Sequence, residues 1–291
     1  MTPGRSAADR VRHDRTGRAA ALYLAPITVF YLLFLVLPYG LVLRMSFYRF
    51  SATTMYVPGF TLANYAAITT DPFYLTLLGR TLWLGFLVTV LCLLLGYPLA
   101  LKISRSGQRT KTILLVLTLS PLLINLIVRS YAWLVLMGEN GVINQRLLDL
   151  GVIAAPLPIN NNMISVTVGL VHISLPLMVI SLVSVLDRID PRLTEAAESL
   201  GAAPGRIIGR ILLPLSLPGI AAGATLVFCF TISAFITPAL LGGNRVSTLS
   251  TMIYSKFIAA LNWPVGATLV CILTVVTLLV VQLHTRLFRE R

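Results

Sequence analysis

Six long stretches of this chain carry no charged residue, and each is long enough to cross a bilayer. A spanning helix needs roughly 20 apolar residues, within a range of about 17–25. The stretches are Ala19 to Leu43, Thr81 to Leu101, Thr112 to about Val128, Met163 to Leu186, Leu215 to about Leu240, and Pro264 to His284. The third extends to Met137 if Arg129 snorkels out of the apolar layer. The runs are continuous rather than alternating, which predicts helices and not a barrel. The fold class expected is all-α integral membrane with six transmembrane helices. At 57% hydrophobic and 11% charged residues, the chain is far from soluble domains, where about a quarter of residues are charged. A net charge of +13 would point a soluble protein toward nucleic acid. Here the charges are confined to loops, so the expected partner is the lipid membrane and not nucleic acid.

Lysine and arginine set the orientation, because loops on the cytoplasmic side carry the excess. Residues 1–18, 102–112, 187–210 and 286–291 hold 16 of the 23 basic residues, against seven in the segments between. Both termini are therefore expected in the cytoplasm. Residues 1–18 read as a basic cytoplasmic tail, and 19–291 as a six-helix transmembrane domain with a cytoplasmic loop at 187–214. The first apolar run is too long for the roughly 7–15-residue core of a signal peptide and is expected to stay as the first span. Trp83, Trp133 and Trp263 fall at the expected outer ends of spans, where amphipathic rings favour the headgroup layer. The outer segment 44–80 is rich in aromatics. It reads either as a piece lying on the membrane surface or as a docking face for an external partner. Cys92, Cys229 and Cys271 lie singly in apolar runs and read as packing residues.

The loop at 187–214 is polar in an otherwise apolar chain. Asp190-Pro191 predicts a helix start, with a side-chain acceptor followed by proline at the first helical position. Glu195 and Glu198 lie in the opening turns, where the helix dipole favours them. Gly201 is a helix stop. Pro204 opens a second short helix, which Ala203 caps less well than Ser or Thr would. Small residues at Ala196, Ala197 and Gly201 permit close approach of another surface. The Glu195 carboxylate offers a partner for a basic group.

Written out, the pattern is Glu195-Ala196-Ala197, three residues, Gly201, nine residues, then Ile211-x-Leu213-Pro214. It resembles the cytoplasmic docking loop of ABC importer permeases. Further segments resemble the spermidine/putrescine-type subfamily: Phe60 to Tyr65, Leu95 to Ala100, Gly138 to Asn144, and Leu186-Asp187 leading through Asp190-Pro191 to Leu193. The resemblance covers about residues 20–285. It implies a type I importer permease, multi-pass in the bacterial inner membrane, with two copies of an ATPase subunit, a second homologous permease and an external solute-binding protein. It implies no enzyme activity or cofactor in this chain, ATP and magnesium being held by the ATPase. Carried over residue by residue, the docking surface comprises Glu195, Ala196, Ala197, Glu198, Gly201, Ala202 and Pro204. Ile211, Leu213 and Pro214 would couple it to the fifth span.

Two rival classes fit the sequence less well. A secondary transporter is expected to show membrane-buried ionisable groups for ion coupling and paired broken helices, and residues 19–43, 81–101, 163–186 and 215–240 have no Asp, Glu, Lys or Arg. An ATPase needs a G-x-x-x-x-G-K-[ST] phosphate loop, and none occurs. Candidate residues for the solute path are Glu139, Asn125, Tyr131, Trp133 and His172. The imidazole of His172 reads more simply as a hydrogen-bonded packing group. The subfamily implies a polyamine or related amine. A dication would find no carboxylate in these spans and would need aromatic faces, worth about 0.5–2 kcal/mol each, backbone carbonyls or the partner permease. Opine-like compounds, amino-phosphonates and ferric ion stay open as solutes.

Overall fold

The computed structural model describes residues 24–243 and 245–289. The tail expected at 1–18 lies outside them. The first span is α1, Leu24–Met45, with a π turn at Leu32–Val36 just ahead of Pro38, whose ring cannot donate in a helix. A short hairpin follows: β1, Arg49–Ser51, pairs antiparallel with β2, Met55–Val57, Phe50 opposite Tyr56. Then come α2, Ala63–Thr70, and the long α3, Pro72–Ser104. The next span is broken into α4, Gln108–Leu123, and α5, Leu126–Leu136, bent by 96°. A short α6, Val142–Asp149, leads to α7, Met163–Leu186. Beyond it lie α8, Arg192–Ser199, α9, Pro204–Leu215, and α10, Leu217–Ser233, the last two bent by 70°. The chain continues with α11, Ile236–Leu241, α12, Leu249–Tyr254, and α13, Trp263–Arg289.

Among the described residues, four helices are long and apolar enough to span, and up to six when each bent pair counts as one. The expected six-span count therefore holds, with corrections to its elements. α7 has the bounds read from sequence, because an Asn162–Ser165 capping box starts it and Asp187 ends it. α3 begins nine residues before Thr81. Asp71 accepts from the Phe73 N–H at 2.8 Å, and the helix runs on past the charge that bounded the apolar stretch. The third span is not one helix but two, and the fifth ends at Ser233, short of Leu240, with extended backbone at Ala234.

α3, α7 and α10 form the core. Leu84, Val88 and Cys92 of α3 meet Leu170, Met178, Val179 and Leu182 of α7 and Val227 of α10, all buried. Small residues bring these backbones together, as in other helix pairs in lipid. A Cβ on Gly85 would stand 2.7 Å from Ile232, and one on Gly223 would stand 2.6 Å from Met178 Sδ. The three cysteines are free thiols. By contrast α1 buries no side chain and rests against α13 alone of the long helices.

The aromatic segment 44–80 packs on itself. Phe47 stacks on Phe60 at 5.0 Å, and Tyr48 stacks on Tyr56, which reaches Trp263. Asn64 Nδ2 donates to the carbonyls of Ser46 and Tyr48, and Thr268 Oγ1 donates to Ser46 O. Ser46 Oγ donates to Leu43 O, so the Tyr65 hydroxyl donates to Ser46 Oγ at 2.7 Å. Burial raises the Tyr65 phenol above its ordinary pKa.

Candidate functional site

The loop after α7 folds as its local chemistry dictates. Asp190 Oδ1 accepts from the Arg192 N–H at 2.9 Å and starts α8. Gly201 takes φ +77°. Its N–H donates to Glu198 O and that of Ala202 to Ala197 O, the paired bonds of a Schellman stop. A Cβ on Gly201 would meet nothing within 4 Å, so glycine is required by backbone conformation and not by crowding, as close approach alone would have it. Pro204 is the first residue of α9, and Ala203 supplies no side-chain cap.

Glu195, Ala196, Glu198, Gly201 and Pro204 are exposed, and Ala197 and Ala202 half-buried. Among the described residues, Glu195 and Glu198 form no ion pair. Leu200, which the motif reading passed over, is 89% exposed, and Leu193 is exposed beside it. Single exposed apolar side chains are ordinary on a protein surface, so Leu200 adds an apolar point to the loop without by itself marking an interface. Only its isolation between polar residues could have marked Leu200 in the sequence.

The link from loop to core also differs from the motif. Leu213 and Pro214 are exposed and Ile211 half-buried, whereas Ile207 and Leu212 are buried. Those two anchor α9. At the bend into α10, Ser216 Oγ donates to Leu213 O and receives the Tyr97 hydroxyl of α3 at 3.0 Å. Lys111 pairs with Asp187 and ties the start of α4 to the end of α7. Between them opens a cleft of about 650 Å³, lined by Arg105, Lys111, Asp187, Asp190, Thr194 and Glu198 among others.

The five solute-path candidates do not assemble into one site. Trp133 Nε1 donates to His172 Nδ1 at 3.0 Å. Indole is only a donor, so this ring of His172 is neutral with its proton on Nε2. His172 is thus a hydrogen-bonded group in the helix packing, and the Trp133 ring reaches across to α7. Asn125 caps α5. Tyr131 is exposed on the same helix. Glu139 lines a separate cavity of about 420 Å³ with Asn160, Asn161 and Arg245. That cavity lies at the start of α7 and the docking loop at its end, 24 residues apart, or about 36 Å along the helix.

The described chain is thus a helical membrane protein with a three-helix core, two broken spans and a polar two-helix loop at one end. It belongs to the family described as binding-protein-dependent transport system inner membrane component, which it matches over residues 25–290. It is thus an inner-membrane translocation subunit and not an enzyme. It is 35% identical over 253 residues, 87% of this chain and 88% of the relative, to the spermidine/putrescine transport system permease protein PotB of Haemophilus influenzae. Over 257 residues it is 34% identical to PotB of Escherichia coli, covering 88% and 93%. It shares its fold with a chain of the bacterial alginate ABC transporter crystallised with an alginate-bound periplasmic protein, at TM-score 0.79, 19% identity and 96% coverage of both.

Proposed function

We propose that this chain is the permease subunit of an ATP-driven importer of spermidine, putrescine or a related amine. The observation that carries the reading is the likeness to PotB along nearly the whole chain, joined to a free two-helix loop that matches the importer docking pattern. Both termini and α8 face the cytoplasm in this reading, because that side gathers 16 of the 23 basic residues. Two copies of an ATPase subunit hold ATP and magnesium and press on α8 and α9. A second, homologous permease completes the path, and an external binding protein delivers solute to the opposite end, near Glu139 and Arg245.

The mechanism follows from how the loop is anchored. α8 itself buries no side chain, so a pull on Glu195, Ala197 or Leu200 passes through the Gly201 turn to α9. There Ile207 and Leu212 transmit it to the core, and the Tyr97–Ser216 bond carries it to α3. Closure of the ATPases would thereby tilt α10 and α3 together and alternate access to the path. The test is uptake of labelled spermidine and putrescine into proteoliposomes holding the assembled complex, with ATP inside and the binding protein outside. ATP-dependent accumulation of either is expected. A complex that hydrolyses ATP on addition of its binding protein yet accumulates neither polyamine contradicts the proposed solute.

A further inference from the structure

Among the described residues, Arg129 is the only charged side chain that is buried, at 5% exposure. It sits in the first turn of α5, inside the broken span. Two features make that placement costly: the bilayer disfavours a buried cation, and the amino end of a helix carries partial positive charge. The guanidinium does not snorkel to water. It donates instead to the carbonyl of Pro121, in the last turn of α4.

That carbonyl is available because of the break. In a continuous helix Pro121 O would accept from the Asn125 N–H. Here Ile124 and Asn125 are extended, with ψ 134° and 133°. Several other backbone groups around the break also find partners close by. Ser120 Oγ donates to Leu117 O at 2.8 Å, the acceptor that Pro121 cannot serve for want of an N–H. Asn125 Oδ1 accepts from the Ile127 N–H at 2.9 Å and, more weakly, from that of Val128 at 3.5 Å. Ser130 Oγ donates to Leu126 O at 2.8 Å. Irregular backbone at membrane depth persists only where such groups are satisfied, and here side chains beside the break supply part of that satisfaction.

We propose that Arg129 is a positioning residue: its guanidinium caps the carboxyl end of α4 from across the break and fixes the angle at which α5 leaves. The negative end of the α4 dipole compensates the charge that the start of α5 repels. Straightening the span would take the carbonyl away and leave a cation unpaired in the bilayer, so the bent form is favoured. The bend in turn aims α5 so that Trp133 reaches His172 on α7, and it seats α5 against α11, the short helix beyond the second break.

The experiment uses the full permease with its partner subunits in nanodiscs, native cysteines replaced, and spin labels at two exposed sites, Leu117 on α4 and Val135 on α5. Wild type is expected to give one narrow distance distribution. Arg129→Met should broaden it and lower binding-protein-stimulated uptake of labelled spermidine by about tenfold, within the roughly 5–150-fold span of typical site coupling. Arg129→Lys, which still donates to a carbonyl, should restore a narrow distribution and most of the uptake. If Arg129→Met fails to insert, Asn125→Ala, which uncaps α5 alone, should broaden the same distance. Wild-type distances in the variant that inserts overturn the proposal. So does equal loss of uptake in Arg129→Met and Arg129→Lys with distances unchanged, which would mean that the guanidinium acts on solute or partner. The distance arm needs no solute. A wrong choice of polyamine silences uptake in wild type too and leaves the distances informative.

Discussion

The loop at 187–214 and the break between α4 and α5 are both departures from continuous transmembrane helix, and they are finished in opposite ways. At the break, the released carbonyls of Leu117 and Pro121 and the N–H groups of Ile127 and Val128 all find side chains within 10 residues. In the loop the backbone is just as well finished, by Asp190 and the Gly201 turn, but the side chains are not. Glu195, Glu198 and Leu200 are turned outward without partners in the described chain. A region that closes on itself holds a shape, and a region that leaves carboxylates and a leucine unpartnered is the one we propose for docking.

The largest expected effect reverses a charge on the open region. Glu195→Lys should weaken association with the ATPase by about 2–5 kcal/mol, roughly 30-fold or more, if the carboxylate meets a basic group. Uptake should vanish while the chain still inserts. Quantitative pull-down of the ATPase with the purified variant checks this, and unchanged recovery would erase the contrast between the two regions. Gly201→Val comes next. Space is free there, so the cost is that of a β-branched residue at φ +77°, at least about 1–2 kcal/mol. Solute-stimulated ATPase activity should fall about tenfold, with Gly201→Asn much milder because Asn tolerates that conformation.

Trp133→Phe probes the closed region. It leaves His172 Nδ1 without its donor, at a cost of about 1–3 kcal/mol, and should lower the melting temperature of the complex while ATPase recovery in pull-downs stays at wild-type level. A loss of ATPase recovery would show that the two regions are not separable. The smallest effect is expected at Tyr97→Phe, which removes the bond to Ser216. Hydrogen bonds between membrane helices average about 0.6 kcal/mol, so uptake should drop by no more than about threefold, measured as initial rate in proteoliposomes.

The sequence was most legible where local hydrogen bonding decides the structure. Asp187 closes α7, Asp190 starts α8, and Gly201 stops it, each visible as a residue type in a fixed place. The bends were hidden because hydropathy is blind to them. Residues 112–128 stay apolar straight through Ile124, and 215–240 straight through Ala234, so nothing in the pattern of charge marks a change of direction. The partner of Arg129 is hidden in the sequence because its acceptor, Pro121 O, is free only once the helix is broken. The contact of Trp133 is invisible in the sequence because the ring that receives its N–H lies on another helix, 39 residues away. Leu200 went unmarked for a related reason: a leucine before a helix stop is usually covered, and its exposure is a property of the whole loop.

The central claim is that α8 and the Gly201 turn are the surface on which an ATPase sits. The most direct measurement places a photo-crosslinking amino acid at position 200 in the complex assembled with its own ATPase, then identifies the crosslinked peptide. The account predicts a crosslink to the ATPase that is lost when Glu195→Lys is added. Crosslinks confined to lipid or to this chain, in a complex that still hydrolyses ATP in response to its binding protein, would contradict it.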